Sequence, residues 1–215
     1  MGRALFYKGI NTNNMNKKTI SAAMNERPEH MPTRNNSVIT YIAMFFWWLS
    51  GWRTVGSLPN EKKILVAAAP HTSNWDFIVG LPIILTLGIK GSIMMKKEAF
   101  IWPFSYLWRW IGFIPIDRHS PKGAVGAAVE YFENNEAMWF VMSPEGTRSK
   151  IKHWRSGFLN IAHQANVPIL LVSWDFPTKT VTFGRVMRTS GDYEKDMLEV
   201  REYFSQFTGK RPENH

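Results

Sequence analysis

An α/β fold with a mixed, largely parallel central sheet flanked by helices is what this 215-residue chain predicts. Three observations lead there. From residue 61 onward, apolar runs of strand length alternate with segments whose apolar residues recur at helical spacing. Such alternation builds sheets with helices on their faces. Hydrophobic residues make up 45% and charged residues 20% of the chain, enough for one α/β domain with a substantial core. Ahead of that domain stands the most apolar run in the sequence, SVITYIAMFFWWLSGW (37–52). It is shorter than the roughly 20 residues a spanning helix needs, which suits a helix lying in a membrane interface.

The chain divides into three parts on this reading: a disordered basic tail over 1–36, an interfacial anchoring helix over 37–56, and the α/β domain over 57–210. The tail is polar, rich in Asn, Lys, Met and Arg, and lacks the order of a cleavable signal peptide. Within the domain, KILVAAA (63–69) reads as a buried strand, followed by a helix to about residue 88 despite Pro82. GSIMMKK (91–97) is a strand, 100–110 a helix and GFIPI (112–116) a short strand. Val125, Ala128, Val129 and Phe132 mark a helix over 122–136, and AMWFVMS (137–143) the next strand. Phe158, Ile161, Ala162 and Ala165 share one face of a helix over 157–165. VPILLVS (167–173) and TVTFGRV (180–186) are strands joined by a turn around Pro177, and Met197, Val200, Phe204 and Phe207 lie in register on a final helix.

Lys and Arg number 26 against 17 Asp and Glu, a balance that points to a polyanionic partner. Six of those basic residues, against two acidic ones, belong to residues 1–36, so the remaining charge is too diffuse to mark a nucleic-acid-reading face. Ten tryptophans, and seven aromatics in AFIWPFSYLWRWIGF (99–113), favour a lipid surface over nucleic acid. The absence of cysteine removes disulfides, thiolate metal sites and a cysteine nucleophile.

Sites in such sheets collect on loops at the carboxyl ends of strands. Three loops there carry chemistry: PHTSNWD (70–76), IPIDRHS (114–120) and SPEGTRS (143–149). In the first, Ser73 and Asp76 have the spacing of a helix capping box. Asp76 is also placed to reach His71, fix its tautomer and leave the other ring nitrogen free to take a proton from a hydroxyl. The cap does both jobs on this reading. Gly146 permits a tight turn, and Arg148, like Arg118 in the second loop, offers a fork suited to phosphate. Each loop has a plainer account: Asp117 and Arg118 as a surface ion pair, and Pro-Glu-Gly-Thr as ordinary turn composition.

His71 through Asp76 resembles the His-x4-Asp motif of the glycerophospholipid acyltransferases, the lysophosphatidic acid acyltransferase superfamily. GFIPIDR (112–118) is similar to that family's second block and PEGTRS (144–149) to its third, the most specific. NVPILL (166–171) matches the fourth loosely, with Leu171 where a second proline is common, and KKEAFIWP (96–103) resembles the segment before the second block. The resemblance spans residues 60–185 in the expected order, with Pro70 where many members carry a polar residue. It implies that His71 is the general base and Asp76 its orienting carboxylate. Arg118, Glu145, Gly146, Thr147 and Arg148 would then shape the acceptor site, with the arginines on its phosphate. It further implies acyl-CoA or acyl-carrier protein as co-substrate, a lysophospholipid acceptor, no metal or other cofactor, and a peripheral or monotopic place on the cytoplasmic face of the cell membrane.

Two other readings use the same residues. A lipid or thioester hydrolase would turn the His71/Asp76 pair on water; the absence of a Gly-x-Ser-x-Gly elbow counts against its serine form only. A non-catalytic lipid-binding module would keep the fold without the reaction. A metal at His71 and Asp76 lacks a third ligand nearby in sequence.

Overall fold

The computed structural model describes residues 27–34, 36–116, 123–147, 149–150 and 154–214. Among them, seven strands form one sheet in the order β1-β7-β6-β2-β5-β3-β4. These are β1 (Arg53–Gly56), β2 (Lys63–Ala69), β3 (Gly91–Lys96), β4 (Phe113–Ile116), β5 (Met138–Met142), β6 (Ile169–Asp175) and β7 (Thr180–Met187). The helices are α1 (Ser37–Ser50), α2 (Trp75–Thr86), α3 (Phe104–Ile111), α4 (Gly123–Glu133), α5 (Gly157–Gln164) and α6 (Tyr193–Phe204). Strands β2 to β6 run parallel to one another. β7 returns antiparallel to β6, and β1 pairs parallel to β7 on the outer edge. The expected mixed, largely parallel sheet is therefore present, and the carboxyl ends of β2, β5 and β6 share one edge.

The pleat divides the core in two. Along β2, Leu65, Ala67 and Ala69 pack with Phe132 of α4, Phe158 of α5 and Phe204 of α6. Ile64, Val66 and Ala68 point the other way, toward Trp47 of α1 and Ile83 of α2. Both faces of the central strands are thus covered, which is why β2 and β6 read as unbroken apolar runs rather than alternating ones.

The face carrying α1, α2 and α3 has a second property. Trp47, only 2% exposed, anchors α1, and Thr40 Oγ1 donates to Leu85 O at the end of α2. Outward, α1 leaves Tyr41, Ile42, Phe45, Phe46, Trp48 and Leu49 exposed. Phe113 of β4 touches both Phe77 of α2 and Trp108 of α3, setting those helices side by side. Trp75 and Ile78, then Ile101, Phe104, Tyr106 and Trp102 (80% exposed), continue the apolar layer. No described helix is long and apolar enough to cross a membrane.

Two expected boundaries shift. The anchoring segment drawn over 37–56 ends as a helix at Ser50, and 53–56 is a strand of the main sheet. Four residues of mixed polarity carry too little pattern to announce a strand that is defined by its partner. The described part of the expected tail is packed rather than free: Met31 is buried, Thr33 bridges Ile89, and Arg34 N donates to Gly88 O. Residues 1–26 lie outside the described residues. Helix α3 starts at Phe104, directly after Pro103, a few residues later than its pattern suggested.

Phe140 of β5, beside Leu65 of β2 in the sheet, is fully buried and packs edge-on against the Phe132 ring. Phe140→Ala should lower unfolding free energy by about 3–5 kcal/mol, measured by urea denaturation.

Candidate active site

Helix α2 begins shortly after β2 ends, and the five residues between, 70–74, hold the predicted base. The Asp76 carboxylate reaches back over the first turn: its Oδ2 accepts from Ser73 N at 2.9 Å. Trp75 N donates to Ser73 Oγ at 3.1 Å. This is the capping exchange expected from the Ser-x-x-Asp spacing, with the serine serving the residue two positions on rather than three. The same Asp76 Oδ2 lies 3.0 Å from His71 Nδ1. Asp76 is 1% exposed and His71 29%. With Nδ1 committed to the carboxylate, the proton belongs on Nδ1 and the Nε2 lone pair is left available. Asp76 Oδ1 is buried with no hydrogen-bond partner among the described residues.

The loop after β5 supplies the next contact. Glu145 is buried, and both its oxygens accept from the His71 backbone N–H, at 3.0 and 2.9 Å. Glu145, expected to shape an acceptor site, has its carboxylate on the main chain of the histidine. Gly146 makes this possible at φ +67°, in the left-handed region, with its N–H donating to Ser143 O. Thr147 Oγ1 accepts from Ser149 N and extends the turn. Gly146 and Thr147 thus shape the loop that presents Glu145. Arg118 and Arg148 lie outside the described residues.

Two further supports were not foreseen. From β6, Trp174 Nε1 donates to Pro70 O at 2.9 Å, fixing the residue before the histidine. From the end of the chain, Arg211 N donates to Thr72 Oγ1 at 3.1 Å, and Asn214 Nδ2 to Thr72 O at 3.4 Å. Gly209 lies so close that a Cβ there would sit 2.6 Å from Thr72 Oγ1. Nothing in the pattern of residues 208–214 marks them, because two of these contacts depend on backbone groups that every sequence has. Residues 70 to 73 are therefore held one by one, by β6, by the β5 loop, by the C-terminal segment and by α2.

Two buried carboxylates hold His71, Asp76 at its ring and Glu145 at its main chain. Burial pushes Glu145 from its ordinary 4.5 up to about 7, and the Asp76 charge adds to this; the His71 N–H and the histidine's own charge pull the other way. Asp76 takes both of its donors, the Ser73 N–H and His71 Nδ1, on one oxygen. The arrangement leaves the imidazole one free nitrogen with a buried carboxylate behind the ring, suited to accepting a proton and holding it.

Because the folded state keeps the Glu145 proton that the unfolded chain releases, stability should decline as pH rises from 4.5 through about 7. Glu145→Gln should flatten that slope by on the order of 2–3 kcal/mol across the window, read by urea denaturation at several pH values. Gly209→Ala should displace Thr72, costing about 1–3 kcal/mol and lowering kcat far more than it changes KM.

Comparison with known proteins agrees with this geometry. The family model described as Acyltransferase matches residues 53–174, from β1 into the end of β6, and so contains both His71 with Asp76 and the 143–149 loop. No curated protein matches significantly. Among solved structures, the 1-acyl-sn-glycerophosphate (LPA) acyltransferase PlsC from Thermotoga maritima is similar in fold, with a TM-score of 0.59 over 79% of this chain and 76% of that one, at 21% identity. With its family model matched over more than half its length, the chain belongs to the acyltransferase family and is an enzyme that transfers acyl groups.

Proposed function

We propose that the enzyme acylates the free hydroxyl of a lysophospholipid, 1-acylglycerol-3-phosphate first among them, in phospholipid biosynthesis, using an acyl thioester of coenzyme A or acyl-carrier protein. The observation that carries the reading is the His71 Nδ1 to Asp76 Oδ2 contact of 3.0 Å, which leaves Nε2 as the base. His71 Nε2 takes the acceptor's hydroxyl proton as its oxygen attacks the thioester carbonyl. The tetrahedral intermediate collapses with cleavage of the C–S bond, and the imidazolium returns its proton to the departing thiolate. Asp76 stabilises the imidazolium meanwhile, and Glu145 keeps the histidine main chain from shifting. No acyl-enzyme forms and the step as written uses no metal or other cofactor. The motif resemblance assigns the acceptor's phosphate to Arg118 and Arg148. The PlsC of similar fold bears the name of a lysophosphatidic acid acyltransferase, which supports the phosphorylated acceptor.

The apolar layer of α1, α2 and α3 supports docking on a bilayer, in the manner of an interfacial helix and on the cytoplasmic face where both donors occur. α2 begins at Trp75 in this layer, so His71 stands at its border and a lysolipid reaches the base without leaving the interface entirely.

Purified protein offered a panel of lysolipids with acyl-CoA or acyl-carrier protein, read by mass spectrometry, should form the diacyl product. His71→Ala should lower kcat by about 10³-fold, within the usual range for loss of a general base, with little change in vesicle binding. Acyl label released as free fatty acid whether or not a lysolipid is present would overturn the transferase reading in favour of hydrolysis.

A further inference from the structure

At the edge of the sheet opposite His71, a cavity of about 340 Å³ lies between the segment before α1, the start of β3 and the last turn of α3. Arg34, Lys90 and Arg109 line it, together with Asn36, Ser92 and Trp110. Its described lining holds three cations and no carboxylate, and none of the three has an ion-pair partner among the described residues. Like charges gathered without a counter-charge repel one another, and the arrangement is relieved by an anion.

Arg34 is held in place to meet one. Its N–H donates to Gly88 O at 2.6 Å, its Nη2 to Ile111 O at 2.8 Å, and its guanidinium lies 4.8 Å above the Trp110 ring. Nη1 is buried with no hydrogen-bond partner among the described residues. A buried N–H of a charged group left without an acceptor is costly. A phosphate offers several acceptor oxygens and matches the planar fork of an arginine.

The location selects the source of that phosphate. Asn36 caps the start of α1, its side chain accepting from Ile39 N, and Arg109 and Trp110 belong to α3. Both helices carry the exposed aromatic layer, so the cavity sits on the layer's rim. A face pressed into a bilayer puts its rim at headgroup depth, where cations and tryptophan meet phosphate. We propose that Arg34, Lys90 and Arg109 form a binding site for the phosphate of an anionic phospholipid headgroup, separate from the catalytic loop. The proposal rests on the reading that the α1–α3 face docks on the membrane. Engaging a headgroup here tilts the apolar layer onto an anionic surface and fixes which way the His71 edge faces.

The test is sedimentation of the full chain with vesicles of phosphatidylcholine alone or phosphatidylcholine doped with phosphatidylglycerol. Lys90→Gln combined with Arg109→Gln should weaken binding to the doped vesicles about twentyfold, with binding to neutral vesicles unchanged. Lys195→Gln combined with Arg201→Gln, the same loss of charge on α6 across the sheet, should weaken it by less than about threefold. Arg34→Lys, which keeps the charge but loses the fork, should weaken it several-fold with an unchanged circular dichroism spectrum. Acyl transfer to detergent-solubilised lysolipid should stay at the wild-type rate in the Lys90/Arg109 variant. Equal weakening in the two double variants would overturn the site in favour of diffuse attraction. Wild-type protein that binds both vesicles equally would overturn this proposal alone, and protein that binds neither would overturn it together with the docking reading. Inorganic phosphate that displaces the protein from doped vesicles better than chloride of equal ionic strength would mark a free-phosphate site and overturn the lipid assignment.

Discussion

One carboxylate oxygen ties together the two halves of this site. Asp76 Oδ2 accepts from the Ser73 backbone and from the His71 imidazole, so the interaction that starts helix α2 also sets the angle of the imidazole. Hydrogen bonds to a charged acceptor are roughly twice as strong as neutral ones. Because both fall on the same atom, the helix cannot begin a residue earlier or later without releasing the histidine. The second oxygen of Asp76 is buried and has no hydrogen-bond partner among the described residues. Glu145 contributes differently. It holds the histidine's main chain, and burial raises it to about 7, which keeps a second full charge from crowding the first.

The sheet is what brings the remaining supports to this loop. The partners of residues 70 to 72 come from 74, 104 and 139 residues away in sequence. They meet because β5 and β6 flank β2 in parallel, so that their carboxyl ends and the following loops converge. The antiparallel return through β7, and then α6, carries the end of the chain back to Thr72. The geometry around His71 is thus a property of the completed sheet rather than of any one loop.

The two faces of that sheet serve opposite purposes. Behind α4, α5 and α6 the apolar side chains are buried in a closed core. On the other face, α1 buries Trp47 and exposes a row of aromatics instead of polar residues. Soluble surfaces rarely leave so much contiguous apolar area uncovered. His71 stands at the border of that layer, just before Trp75 at the start of α2.

How much of this was legible depends on the range over which each signal acts. The alternation of strand and helix, the doubly buried runs of β2 and β6, and the apolar stretch at 37–52 are periodic or compositional, and the sequence alone determined them. It also determined the pairing of His71 with Asp76, because five residues across a helix start span a fixed geometry. The strand Arg53–Gly56 and the packing of residues 27–34 were not legible, since their structure is defined by distant partners and not by their own pattern. Nor was the contact of Glu145 with the His71 main chain, which joins residues 74 apart in sequence. Only tertiary structure decided that Trp174, Gly209 and Arg211 support the histidine loop. A hydrogen bond from an indole to a backbone carbonyl, a backbone N–H to a threonine, or the room for a missing Cβ leaves no local trace until the sheet has brought the two chains together.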